Sequence, residues 1–128
     1  MSAMSDYLEN EILDHILGTG AYTMPSTIYI GLSTGSFGDD NSGTELSGNG
    51  YARQLVAFDA AVAGTADNTG AIEFSAATAS WGTVSHFGLF DASTGGNLLI
   101  HGVFAVPKLI DSGDILKIAA GKLDITAA

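Results

Sequence analysis

Apolar residues recur at helical spacing near the start of the chain and at a spacing of two over most of the remainder. Leu8, Ile12, Leu13, Ile16 and Leu17 form one stripe, which predicts a helix over residues 5–17. Ser5 stands ahead of it as the N-cap, with Asp6 and Glu9 near the positive end of the helix dipole. His15 falls in the last turn, and Gly18 and Gly20 supply the stop. The stripe is expected to pack on the domain's own sheet. The alternative is a helix that contacts a neighbouring subunit.

After Pro25 the period changes. Ile28, Ile30 and Leu32 alternate with Tyr29, Gly31 and Ser33, the pattern of a half-buried strand. Residues 35–50 form a long polar loop with almost no capacity for a core, the kind that is functional or mobile. Tyr51 to Phe58 predicts a second strand, with Leu55 and Ala57 on one face and Val56 and Phe58 on the other. Residues 59–69 read as a loose connection and Ala71 to Phe74 as a short strand. Val84–Phe90, Leu98–Val106 and Ile115–Ile125 complete the set. Ser93-Thr94-Gly95-Gly96-Asn97 and Asp111-Ser112-Gly113-Asp114 are turns, and Gly121 marks a bulge or a break into two strands. The expected fold is mainly β, an antiparallel β-sandwich or open barrel with one N-terminal α-helix. Residues 1–128 make one domain, with the β part spanning 27–125. The chain has no internal repeat and no heptads, and long fibrous shafts show repeats.

Composition narrows the function. The chain is 46% hydrophobic and only 14% charged, so its apolar surface tends to exceed what a monomer can hide, and oligomerisation is expected. The formal net charge is −10, and Arg53, Lys108, Lys117 and Lys122 are the only Lys or Arg residues. Phosphate backbones and anionic lipids need clustered cations, so no nucleic-acid or membrane partner is expected. The absence of cysteine excludes disulfides, thiolate metal sites and a cysteine nucleophile. No secretory signal and no membrane span is read, so synthesis in a bacterial cytoplasm is expected.

Candidate chemistry is thin. Gly31-Leu32-Ser33-Thr34-Gly35 matches G-x-S-x-G, but a glycine- and acid-rich loop follows where a nucleophile elbow needs a helix. The three histidines, His15, His86 and His101, offer no metal-binding pair on a helix. His86 and His101 could face each other across a hairpin, with Asp91 or Asp114 joining them. Asp39, Asp40, Asn41 and Glu45 place oxygen ligands in one loop without EF-hand spacing. Trp81, Tyr51 and Tyr29 could stack on sugar rings, although a tryptophan beside Gly82 in a hairpin is more often a core anchor. No catalytic residue, cofactor site or metal site is expected, and the protein is not read as an enzyme.

Several segments carry a further signal, of which the N-terminal helix and the aromatic hairpin are specific and the Gly-Asp turn is generic among β proteins. Ser5-Asp6-Tyr7-Leu8-Glu9-Asn10, Leu13-Asp14-His15, Ala21-Tyr22-Thr23-Met24-Pro25 and Tyr29-Ile30-Gly31-Leu32-Ser33-Thr34 are four of them. Gly50-Tyr51-Ala52-Arg53, Ser80 to Asp91, Ser112-Gly113-Asp114 and Gly121-Lys122-Leu123-Asp124-Ile125 continue the series. Together they resemble a family of small bacteriophage virion proteins, often labelled tail fibre proteins. The resemblance implies a virion structural component. A receptor-binding fibre usually needs a long shaft, whereas a small acidic β-domain suits a capsid surface. The leading expectation is a capsid decoration or cement protein that bridges the major capsid protein, as a homo-oligomer with a trimer favoured. Tyr7, Leu8, Ile12 and Ile16 are its candidate interface. A tail-fibre or baseplate component with loop 35–50 as its tip is the first alternative. A carbohydrate- or calcium-dependent binding module is the second.

Overall fold

The computed structural model describes residues 2–126. Strand β1 (Ser2–Met4) leads into helix α1 (Asp6–Leu17), followed by β2 (Ile28–Ser33), β3 (Gln54–Val56), β4 (Thr65–Asp67) and β5 (Ile72–Glu73). The long strands β6 (Gly82–Phe90) and β7 (Leu98–Ile110) come next, then β8 (Lys117–Ile118) and β9 (Asp124–Thr126). The strands form a five-stranded sheet in the order β1-β7-β6-β2-β3 and two ribbons, β4-β9 and β5-β8. All pairings are antiparallel. The large sheet ends on β1 and β3 and is not a closed barrel.

The alternation of β2 sets the inside of the molecule. Ile30 and Leu32 lie opposite Leu89 and Phe87 of β6, and all four are buried. The ribbons cover this face with Ile72, Ile118 and Leu123, while Phe74 and Trp81 close it along one side. Trp81 is a core anchor, its indole N–H donating to the Asn49 carbonyl at 2.9 Å and its ring meeting Tyr51 edge-on. The predicted faces of the second strand hold as well: Val56 is buried and Leu55 exposed.

Several boundaries differ from the sequence reading. Ser2–Met4 forms an edge strand, tied to β9 by Ser2 Oγ and the Thr126 backbone. The stretch 59–69 is not loose, because Thr65–Asp67 pairs with β9. Residues 115–125 divide into β8 and β9 with Gly121 at a φ of 75° between them. Strand β7 continues past Val106 to Ile110. Val84 of β6 pairs with Lys108 and His86 with Val103, so β7 spends extra residues in a bulge between them. Pro107 sits inside that bulge, where its missing N–H costs no ladder bond.

Helix α1 starts and stops as its caps dictate. Ser5 is extended and its Oγ accepts the Leu8 N–H at 3.2 Å, while Gly18 adopts the left-handed conformation. Its packing departs from expectation, because only Leu8 of the stripe is buried. The first turn is fastened by backbone bonds from Ser5 N to Leu99 O and from Asp6 N to Asp39 O, both 2.8 Å. Ile12, Leu13, Ile16 and Leu17 remain exposed.

Candidate functional site

The second face of the large sheet is built on two glycines. Gly31 and Gly88 are direct cross-strand partners, and the missing side chains leave room for an overlying layer. Phe37, from the 35–50 loop, fills part of it. It is fully buried against Phe90 edge-on and beside Leu98. The loop therefore carries a core residue and is fastened, contrary to the reading of it as coreless.

Glu45, Arg53 and Tyr51 fasten it further. Arg53 grips the Glu45 carboxylate with Nε at 2.9 Å and Nη2 at 2.8 Å. Arg53 Nη1 donates to the carbonyls of Ala92 and Gly95, each at 2.8 Å, and the guanidinium lies 3.6 Å above the Phe90 ring. The Tyr51 hydroxyl donates to Glu45 and accepts the Leu32 N–H at 2.9 Å. Burial and the hydrogen bond to the Glu45 carboxylate push the Tyr51 phenol far above its ordinary range. One salt bridge thus joins the 35–50 loop, the start of β3 and the 91–96 turn into one rigid patch.

The residues singled out for chemistry are placed apart. Ser33 of G-x-S-x-G is buried, donating to the Thr44 carbonyl at 2.6 Å and accepting the Gly35 N–H at 3.1 Å, so it ties the loop to the strand. His86 lies opposite Val103 and His101 opposite Gly88, so the two do not face each other. His86 Nδ1 meets Ser85 Oγ at 2.7 Å, and His101 Nε2 meets Asp39 Oδ1 at 2.7 Å. His15 Nδ1 accepts the Tyr22 N–H. Asp91 accepts from Asn97, and Asp114 from the Asp111 N–H. Of the oxygen-bearing loop residues, Asp40 accepts the Ser42 N–H, and hydrogen bonding from the Ser42 side chain, then from its backbone, holds the carboxyl below the usual carboxylate range. Glu45 belongs to Arg53, so the loop carboxylates do not converge. Trp81 is in the core and Tyr51 in the network, which leaves no platform of three rings for a sugar.

What the fold does leave open is an apolar groove beside α1. A cavity of about 320 Å³ runs between Leu8, Tyr22, Pro25, Phe58, Leu99 and Ile125. Past Leu8 a second hollow of about 210 Å³ continues between Met4, Ile12, Ala61, Ile100 and Thr126. The two share Leu8, Ala66, Ile100 and Ile125, so they form one trough between the helix and the β4-β9 ribbon. Ile16 is 72% exposed and Leu17 70% exposed beyond its rim, and Met24 and Val62 are bare as well. The rim is acidic. Partial burial, then the neighbouring Tyr7, Asp91 and Glu11, raise the Tyr22 phenol above its ordinary range. Of the four candidate interface residues, Leu8 and Ile12 line the trough, Ile16 projects from the same helix, and Tyr7 is half-buried at the helix start.

The trough has an apolar floor and lies beside a bare helix face. The family model described as podophage GP4 fibre I protein gp80 matches residues 3–126. The chain belongs to this family. It is a phage virion structural protein, and the match runs from β1 through β9. No curated protein matches the chain. No helix among the described residues of this fibre-family protein is long and apolar enough to cross a membrane.

Sequence reasoning missed two residues that shape the fibre-family fold. Phe37 stands alone in a polar run, and only a lone large aromatic among glycines could have flagged it. Asn68 is buried, donating to Gly70 O at 2.7 Å and Ala119 O at 3.1 Å and accepting the Leu123 N–H at 2.9 Å. It pins the two ribbons together from a segment with no periodicity.

Proposed function

We propose that the protein is a subunit of a phage fibre, joined to its assembly through the apolar face of α1, with Tyr7, Leu8, Ile12 and Ile16 as contact residues. The observation that carries this reading is the bare helix. Ile12, Leu13, Ile16 and Leu17 stand in water in a chain that can bury comparable residues elsewhere. Covering a side chain of this size stabilises a contact by roughly 1.5–3 kcal/mol. The family's fibre description supports a fibre over the shell. A domain without internal repeats contributes length to a fibre by the addition of copies, which fits an association surface on each one.

A second reading, a decoration or cement protein bridging the major capsid protein as a trimer, is favoured by the single small domain and its acidic charge. The roles part in where the chain sits. Gold-labelled antibody against the protein, applied to intact virions, is expected to mark fibres. Label spread over the shell would overturn the fibre reading in favour of the cement one.

A further inference from the structure

The molecule carries a second apolar patch, at the far end of β7, and this one is flanked by two lysines. Val106 is 72% exposed on the β7 bulge, and Leu109 and Ile115 are exposed near it. A shallow cleft of about 90 Å³ opens there between Val84, Phe104, Leu116 and Ile118, flanked by Lys108 and Lys117. These lysines are two of the four Lys and Arg residues in the chain. Glu73 is the cross-strand neighbour of Lys117, yet neither lysine forms an ion pair among the described residues. Arg53, by contrast, is consumed by Glu45.

The trough beside α1 is the complement. It is apolar along its floor, and α1 carries Asp6, Glu9, Glu11 and Asp14. Ile100 lines the trough and Lys108 the cleft, and their β6 partners Leu89 and Val84 are five residues apart, so the two patches lie roughly 17 Å apart along the sheet. They face different parts of the surroundings and cannot satisfy each other within one molecule.

We propose that the partner of the trough is a second copy of this chain. The β7 bulge of one copy, with Val106 at its crest, seats against the trough and bare α1 face of the next. Lys108 and Lys117 meet the acids of the receiving helix. Different surfaces are used on the two copies, so the contact is heterologous. Repeated, it closes into a ring or continues as a stack. Pairing trough to trough would instead bring two acidic helices together in a chain of net charge −10. The inference concerns the purified protein, and it stands or falls independently of which part of the virion carries the chain.

The test is complementation between two single-face variants. Ile16→Glu blocks the receiving face and Val106→Glu the inserting face. Both positions are exposed, and circular dichroism with a melting temperature near the parent's establishes that each variant folds. Sedimentation of the parent chain is expected to show an oligomer that loses mass as salt is raised. Each variant alone is expected to sediment as a monomer. An equimolar mixture is expected to form a one-to-one dimer, because each variant retains the face that the other lacks. A monomeric parent would overturn the proposal. So would an oligomer unaffected by Val106→Glu, or a folded mixture that stays monomeric.

Discussion

Gly31 and Gly88 face each other directly across β2 and β6, and their missing side chains are the floor on which the 35–50 loop is built. A Cβ on Gly88 would stand 2.9 Å from Leu98 Cδ1 and 3.2 Å from the Phe37 ring. A Cβ on Gly31 would stand 2.7 Å from Glu45 Oε2 and 3.1 Å from Phe90. Packing the loop this closely requires glycine on both strands.

Overpacking that floor is expected to loosen the loop. Gly88→Val should lower the unfolding free energy by about 1–3 kcal/mol in urea denaturation. The Phe37 environment, followed by fluorine labelling of the phenylalanines, should become mobile before the main core melts. An unchanged midpoint would mean that the loop is not supported from below.

The Glu45–Arg53 pair is expected to behave as a buried pair, since the Arg53 side chain is only 8% exposed. Removing one partner leaves the other charge unsatisfied. Arg53→Met should therefore cost about 3 kcal/mol. Replacing both residues by apolar side chains should cost less than the single change. A double-mutant cycle measures this, and additive losses would count against the coupling.

Tyr51 makes the same network sensitive to alkali. Its phenol is raised above the ordinary tyrosine value of 10.0, so the folded state favours the neutral form. The stability this contributes is complete below pH about 10 and is lost as pH rises toward the folded-state value. Stability should fall above pH 10 more steeply in the parent than in Tyr51→Phe. Ultraviolet titration should show Tyr51 ionising only as the chain unfolds. Its ionisation in the folded state alongside the other tyrosines would contradict the hydrogen bond to Glu45.

Asn68 should be among the costliest polar positions. Asn68→Ala leaves the Leu123 N–H and the Ala119 and Gly70 carbonyls without their partner. A loss of about 2–3 kcal/mol is expected by thermal or urea unfolding. A loss below about 0.5 kcal/mol would mean that water replaces the amide.

Much of this fold was legible where a period extends over several residues. The alternation of Ile28, Ile30 and Leu32 placed β2 and its buried face, and Ser5 and Gly18 bounded the helix. β1 and β4 were harder, because three-residue strands carry no period and are defined by partners distant in sequence. The binding of loop 35–50 was hidden for a related reason. It depends on Gly31 and Gly88 meeting across a sheet, which no local pattern reveals. The candidate site was legible in part. The stripe of Leu8, Ile12 and Ile16 is visible in the sequence, but a covered stripe and a bare one read alike. What decides between them is that Ser5 and Asp6 fasten only the first turn.

The most direct test of the account is electron cryo-microscopy of the intact virion at a resolution that traces this chain. The account predicts density in a fibre, with Ile12 and Ile16 of α1 covered by a neighbouring protein. Density with α1 turned to solvent and its apolar face bare would contradict it.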